Sequence, residues 1–126
     1  MSKIMIIDDC DMMRQFLEMQ CLEFGKVESH NTALSALEAL SLNNIPDAII
    51  LDLNLPDMHG KKFLQKISET EAFRRIPVLV LSGETKIDSK IKCFELGASD
   101  YLTKPFHPGE LKLRLKSQLQ VLKKAV

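Results

Sequence analysis

The sequence predicts a doubly wound α/β domain built on a five-stranded parallel sheet with five helices, and three observations predict it. Strand-length segments that are apolar almost throughout, such as Ile4–Ile7, Ala48–Leu51 and Val78–Leu81, alternate with longer stretches of helical periodicity. Strands without polar alternation bury both faces, which requires a parallel sheet covered by helices on each side. The chain has 126 residues, the size of one core, so residues 1–126 are expected to form a single domain.

The elements follow in order. Ile4–Ile7 reads as the first strand, and Asp11 is placed as the N-cap of a helix carrying Met13, Phe16, Leu17, Gln20, Cys21 and Phe24. Gly25 is expected to close that helix, Lys26–Ser29 to form a short second strand, and Ala33, Ala36, Leu37 and Leu40 to mark the second helix. Pro46 breaks the chain before the strand Ala48–Leu51, which ends at Asp52. Leu53–Gly60 reads as a loop, followed by a helix with Phe63, Leu64 and Ile67. Pro77 introduces the strand Val78–Leu81, ending at Ser82 and Gly83. Ile87, Ile91, Phe94 and Leu96 predict a fourth helix stopped by Gly97, and Tyr101–Thr103 a fifth strand reaching Lys104 and Pro105. Leu111, Leu115, Leu119 and Leu122 stripe the last helix, about 108–124. Because Leu119 and Leu122 run past the expected end of the sheet, this helix is expected to form a contact surface or continue into a connector.

Composition excludes several classes of function. Lys plus Arg and Asp plus Glu both number 17, so no net basic field favours direct nucleic-acid or membrane binding. No apolar run approaches the roughly 20 residues of a bilayer span, and Asp8 and Asp9 interrupt the N-terminal apolar stretch before it resembles a signal peptide. Cys10, Cys21 and Cys93 lack metal or disulfide spacing and are expected to be small buried hydrophobes in a reducing, cytoplasmic setting. Met12, Met13 and Met19 are expected at the core or its boundary. His30, His59 and His107 are too scattered for a metal site and are expected to be exposed.

In open parallel sheets the functional crevice lies beyond the carboxyl ends of the strands. Those ends here deliver Asp8 and Asp9, Asp52, Ser82 and Lys104 to one place. Each part alone is commonplace, since acidic turns and caps abound; their joint order is not. Three carboxylates within about 5 Å repel by ~3 kcal/mol per pair at an effective dielectric near 20, so the pocket calls for a counter-charge. Lys104 and a divalent cation supply it, and an all-oxygen, partly open shell suits Mg²⁺. A carboxylate nucleophile in such a pocket can accept a phosphoryl group, with metal and ammonium neutralising its oxygens. Ser82 is then placed to donate to a phosphoryl oxygen, drawing its loop inward and opening space for Tyr101 to turn into.

Ile6-Ile7-Asp8-Asp9, Leu51-Asp52-Leu53-Asn54-Leu55-Pro56-Asp57-Met58-His59-Gly60, Leu81-Ser82-Gly83 and Asp100-Tyr101-Leu102-Thr103-Lys104-Pro105-Phe106 resemble the receiver domains of bacterial two-component response regulators. The resemblance covers essentially the whole chain. It implies a flavodoxin-like sheet in the order 2-1-3-4-5 and transfer of a phosphoryl group to Asp52 from a phosphohistidine on a sensor histidine kinase or histidine phosphotransfer protein. It further implies Mg²⁺ held by Asp9, Asp52 and the backbone carbonyl of Asn54, with Asp8 acting through water. Lys104 would contact the phosphoryl oxygens, Ser82 and Tyr101 would form the switch, and Lys104-Pro105 would be a cis peptide. The output implied is binding: to a downstream protein, to a fused effector domain, or to a second copy in a phosphorylation-dependent dimer. Such a domain is not a conventional enzyme but catalyses its own phosphorylation and dephosphorylation. Ser82 stands where Thr is frequent and His59 where small polar or acidic residues are usual, while Asn54 and Glu84 occupy positions that tune acyl-phosphate hydrolysis in similar domains.

Two alternatives remain open on the residues. A haloacid-dehalogenase-like phosphatase starting from Asp9-Cys10-Asp11 also uses an aspartyl phosphate, although Met13 stands where a small hydroxyl or β-branched residue belongs and no second acidic motif follows. A pseudo-receiver would keep the fold as an interaction module without phosphorylation.

Overall fold

The computed structural model describes residues 2–124; the side chains of Leu122, Lys123 and Lys124, expected to extend the last helix's stripe and charge, lie outside the described residues. The chain runs β1 (Ser2–Ile7), α1 (Asp11–Cys21), a 3₁₀ turn (Leu22–Phe24), β2 (Gly25–His30), α2 (Ala33–Ser41), β3 (Ala48–Asp52), α3 (Gly60–Glu69), β4 (Val78–Ser82), α4 (Ile87–Glu95), β5 (Asp100–Thr103) and α5 (Pro108–Lys124). The five strands form one sheet in the order β2-β1-β3-β4-β5, parallel throughout. Fold class and strand order are those expected.

The period-two alternation of strands sorts their residues onto two faces. Met5, Ile7, Ile49, Leu51, Val78 and Val80 pack with Ala33, Ala36 and Leu40 of α2, Phe63, Leu64 and Ile67 of α3, and Cys93 of α4. Ile4, Ile6, Ala48, Ile50, Leu79 and Leu81 pack on the other side with Leu17 and Cys21 of α1 and Leu111, Leu115 and Leu119 of α5. Between β1 and β3 the order of strands reverses, so the loops leaving those two carboxyl ends part in opposite directions and leave a crevice.

Several local expectations are corrected. Asp11 is the first helical residue of α1, not its cap; Cys10 holds the cap position without a side-chain bond. The Asp11 carboxylate accepts from Arg14 at 2.6 Å instead. Gly25 does not terminate α1 directly, because the 3₁₀ turn intervenes, and it opens β2 with φ +146°. Gly97 does stop α4: its N–H donates to the Phe94 carbonyl and that of Ala98 to the Cys93 carbonyl, a Schellman closure.

The apolar stripe of α4 faces outward. Ile87, Ile91 and Phe94 are 63%, 48% and 42% exposed, and the helix is anchored by Cys93 and half-buried Leu96. Cys93 lies two residues from Ile91, about 200° around the helix, so the two positions cannot share a face. Full burial of an Ile, Leu or Phe side chain contributes about 1.5–3 kcal/mol. Helix α3 buries Phe63, Leu64 and Ile67, whereas α4 buries only Cys93, making α4 the more weakly held of the two. Met12 and Met19 are also exposed, as is Cys10, while Leu119 is a core residue and not an overhang.

The start of β2 sets a sharp steric condition. A Cβ on Gly25 would lie 1.9 Å from the Ser2 carbonyl oxygen, whereas one on Gly83 would meet nothing within 4 Å. Gly25→Ala is therefore expected to lower unfolding free energy by more than about 2 kcal/mol, combining strain at positive φ with separation of β1 from β2. Gly83→Ala should change it by less than roughly 0.5 kcal/mol. Urea unfolding of both variants checks the contrast.

Candidate functional site

Asp8 follows β1 directly, Asp52 is the last residue of β3, and Lys104 follows β5. The parallel register of the strands brings these ends to one edge of the sheet. Asp8 and Asp52 are buried, at 1% and 7% exposure, while Asp9 is exposed at the rim. One carboxylate oxygen from each of Asp8, Asp9 and Asp52 lies within 4.8 Å of the others. The Lys104 ammonium stands 3.6 Å from Asp8 Oδ2 and 3.6 Å from Asp52 Oδ1. That separation is an ion pair but too long for a hydrogen bond.

Backbone contacts fix the two buried acids. Asp8 Oδ1 accepts from the Cys10 N–H at 2.9 Å, and Asp52 Oδ1 from the Asn54 N–H at 3.3 Å. The Asp8 backbone N–H donates to the His30 carbonyl at 3.0 Å, and the Asp8 carbonyl accepts from Arg14 Nη1 at 3.0 Å. Asp8 Oδ2 is buried with no hydrogen-bond partner. A buried carboxylate oxygen left so is costly unless a cation or donor meets it. The Lys104 N–H donates to the Ser82 carbonyl at 2.8 Å, tying the ends of β5 and β4, and the Lys104-Pro105 peptide is cis.

Ser82 and Tyr101 are both inside, and both hold Glu84. Ser82 Oγ accepts from the Glu84 N–H at 3.0 Å, and the Tyr101 hydroxyl donates to the Glu84 carbonyl at 3.0 Å. The hydroxyl of Ser82 is thus engaged with its own loop and not with the acids. Tyr101 is 4% exposed and packs in the core beside Cys93 and Ala98, already occupying the inward position. Lys61 Nζ lies 4.0 Å from a Glu84 carboxylate oxygen, which also accepts from Ser89, and Lys90 sits over the Tyr101 ring at 6.0 Å.

The loop from Leu53 to Gly60 carries Asn54. Asn54 and His59 form an isolated antiparallel bridge, and the Gly60 N–H donates to the Leu53 carbonyl at 2.7 Å. His59 caps α3, its Nδ1 accepting from the Lys61 N–H at 3.1 Å. Of the other histidines, His107 is exposed, but His30 is not: its ring joins Ser35 at 2.6 Å and Glu28 at 2.8 Å. Sequence reasoning did not single out Asp57, whose carboxylate takes the Ala33 and Leu34 amides at 3.0 and 2.8 Å. No local pattern signals it, because the partners are 24 and 23 residues away.

Burial pushes the Asp8 carboxyl above the usual carboxylate range; the Cys10 N–H and the Lys104 ammonium oppose this, and Asp52 and Asp9 add to it. A carboxyl raised in the folded state holds its proton more tightly there than in the unfolded chain. Its ionisation costs stability progressively as pH rises from the unfolded value through the folded one. Asp8→Asn is therefore expected to stabilise the cation-free protein at neutral pH, on the order of 1 kcal/mol. The gain should vanish as pH falls toward about 4. Urea unfolding with chelator present, from neutral to acidic pH, measures both.

Residues 4–116 match the family described as "Response regulator receiver domain". The KDP operon transcriptional regulatory protein KdpE of Escherichia coli is 37% identical over 122 residues, covering 95% of this chain and 52% of that protein. The cell cycle transcriptional regulator CtrA of Caulobacter vibrioides is 37% identical over 117 residues, covering 90% of this chain and 48% of the relative. The chain thus spans about half the length of these curated relatives. A crystal structure of a putative response regulator from Chloroflexus aurantiacus superposes with TM-score 0.87 at 34% identity, covering 94% of this chain and 98% of that one. With its sheet order, its acidic cluster and these likenesses together, the chain belongs to the response regulator receiver domain family.

Proposed function

We propose that this domain is a phosphorelay switch in which Asp52 accepts a phosphoryl group, and the observation that carries the reading is the charge arrangement around Lys104. One ammonium lies 3.6 Å from two buried carboxylates while a third carboxylate flanks them, so the cluster is short of positive charge. The orphaned Asp8 Oδ2 and the all-oxygen donor set fit a hard divalent cation, Mg²⁺ in preference to softer metals. Asp9, Asp52 and the Asn54 carbonyl would hold it directly and Asp8 through water. The bound cation would neutralise charge on the transferring group.

The donor is a phosphohistidine on a sensor kinase or phosphotransfer protein. An Asp52 oxygen attacks phosphorus, the P–N bond breaks, and the imidazole leaves with the bond's electron pair and takes up a proton. Lys104 presents its ammonium to the phosphoryl oxygens. Ser82 is the switch: its oxygen accepts from Glu84, leaving its O–H proton to donate to a phosphoryl oxygen. Drawing Ser82 toward the phosphate pulls on the Glu84 peptide, to which Tyr101 is also bonded. The strain therefore passes to the β4–α4 loop and to weakly anchored α4, whose outward Ile87, Ile91 and Phe94 offer a surface for a downstream protein, a fused effector domain or a second copy. Residues 108–124 are the segment through which a following domain would be joined. No helix among the described residues is long and apolar enough to cross a membrane, and a cytoplasmic setting suits a partner carrying phosphohistidine.

Incubation with Mg²⁺ and a small acyl-phosphate donor is expected to add one phosphoryl group by intact mass, and none in Asp52→Asn. Absence of the adduct with every donor would make the chain a non-phosphorylated interaction module; its persistence in Asp52→Asn would move the acceptor elsewhere. Mg²⁺ at ten times its dissociation constant should raise unfolding free energy by about 1.4 kcal/mol through linkage. In Asp9→Ala the same concentration should raise it by close to nothing, as read from paired urea titrations.

A further inference from the structure

Helix α2 caps only part of its own first turn. Thr32 Oγ1 accepts from the Ser35 N–H at 3.1 Å, and the Thr32 carbonyl accepts from the Ala36 N–H at 3.4 Å, which begins the helical ladder. The N–H groups of Ala33 and Leu34 have no acceptor within the helix, as in any first turn. Both are taken by Asp57, one to each carboxylate oxygen, at 3.0 and 2.8 Å. Removal from water raises the Asp57 carboxyl, but the Leu34 and Ala33 amides outweigh that and hold it below the usual carboxylate range. A carboxylate at a helix N-terminus is also favoured by the helix dipole.

The same contact constrains the other end of the bond. Asp57 lies within a closed loop whose base is pinned by the Asn54–His59 bridge and by the bond from Gly60 to Leu53. Leu55 and Met58 rest on the core. Pro56 and Asp57 between them are exposed, and the Asp57 carboxylate is what binds this stretch to a neighbouring element. Asn54, three residues earlier, is at the base of that loop.

We propose that Asp57 is a positioning residue for the cation site: docked on the first turn of α2, it holds the β3–α3 loop in which Asn54, its N–H bonded to Asp52 Oδ1, would present its carbonyl to a cation. This rests on the reading that Asp9, Asp52 and Asn54 hold Mg²⁺. A carboxylate that served α2 alone would be a cap and nothing more, and the two roles separate experimentally. Thr32→Ala removes a cap from the same turn without touching the loop, so it reports the cost of loosening α2. Asp57→Ala removes cap and tether together, and Asp57→Asn keeps one acceptor of the two.

Amide hydrogen exchange without cation is the first readout. In Asp57→Ala, amides of residues 54–59 are expected to exchange severalfold faster, while Thr32→Ala confines its effect to α2. Mg²⁺ affinity, from cation titration of backbone amide spectra, is the second. Asp57→Ala should weaken it about tenfold, the scale seen for residues that orient metal ligands; Asp57→Asn should fall between, and Thr32→Ala should match wild type. Unchanged exchange over 54–59 in Asp57→Ala, or equal weakening of Mg²⁺ by Asp57→Ala and Thr32→Ala, would overturn the proposal. A wild-type protein that binds no Mg²⁺ would defeat the functional reading, and the exchange comparison would still decide whether Asp57 holds the loop.

Discussion

Asp8 and Asp52 end adjacent strands with their carboxylates out of solvent, and the Lys104 ammonium, 3.6 Å from each, is the counter-charge the fold supplies. Burying an acid without compensation is expensive, and one lysine among three acids compensates incompletely. The surrounding structure is arranged around that deficit. Backbone amides of Cys10 and Asn54 cap one oxygen of each buried acid, and the link between Lys104 and Ser82 keeps the ammonium in register with the sheet. The cluster is left with more negative than positive charge.

The sheet makes such a concentration of charge affordable. Both of its faces are covered, α2, α3 and α4 on one side and α1 and α5 on the other, and the interiors of β1, β3 and β4 are apolar to near-zero exposure. β3 and β4 can therefore end in a polar side chain, Asp52 and Ser82, without carrying one along their length. Adaptability is placed differently. Helix α3 is anchored by large apolar residues, whereas α4 rests on Cys93 and Leu96 and follows the Ser82–Glu84–Tyr101 linkage.

Asp57 shows a second layer of organisation. The loop that carries Asn54 is not simply a connector between β3 and α3; it is bolted to α2, an element from the opposite side of the strand-order reversal. Secondary structure on either side of the crevice thus shares one bond network. His30 adds to it from the end of β2, where its ring joins Glu28 to Ser35 in α2.

The alternation of strands and helices, the strand ends, and the meeting of Asp8, Asp9, Asp52 and Lys104 were legible in the amino-acid sequence alone. Those features depend on local periodicity and on the rule that parallel sheets present their carboxyl edge. Tertiary structure decided which apolar residues are core. Ile87, Ile91 and Phe94 have helical spacing that cannot reveal whether the stripe faces the sheet or the solvent, and Met12 and Met19 share that ambiguity. It also decided the caps: Asp11 lost the capping position to Cys10, and α2 took its acceptor from Asp57, more than twenty residues away. The inward placement of Tyr101 and the engagement of Ser82 with Glu84 belong to the same class. Such contacts exist only once distant segments meet, so hydrogen-bonding capacity can be read from residue type but its partner cannot.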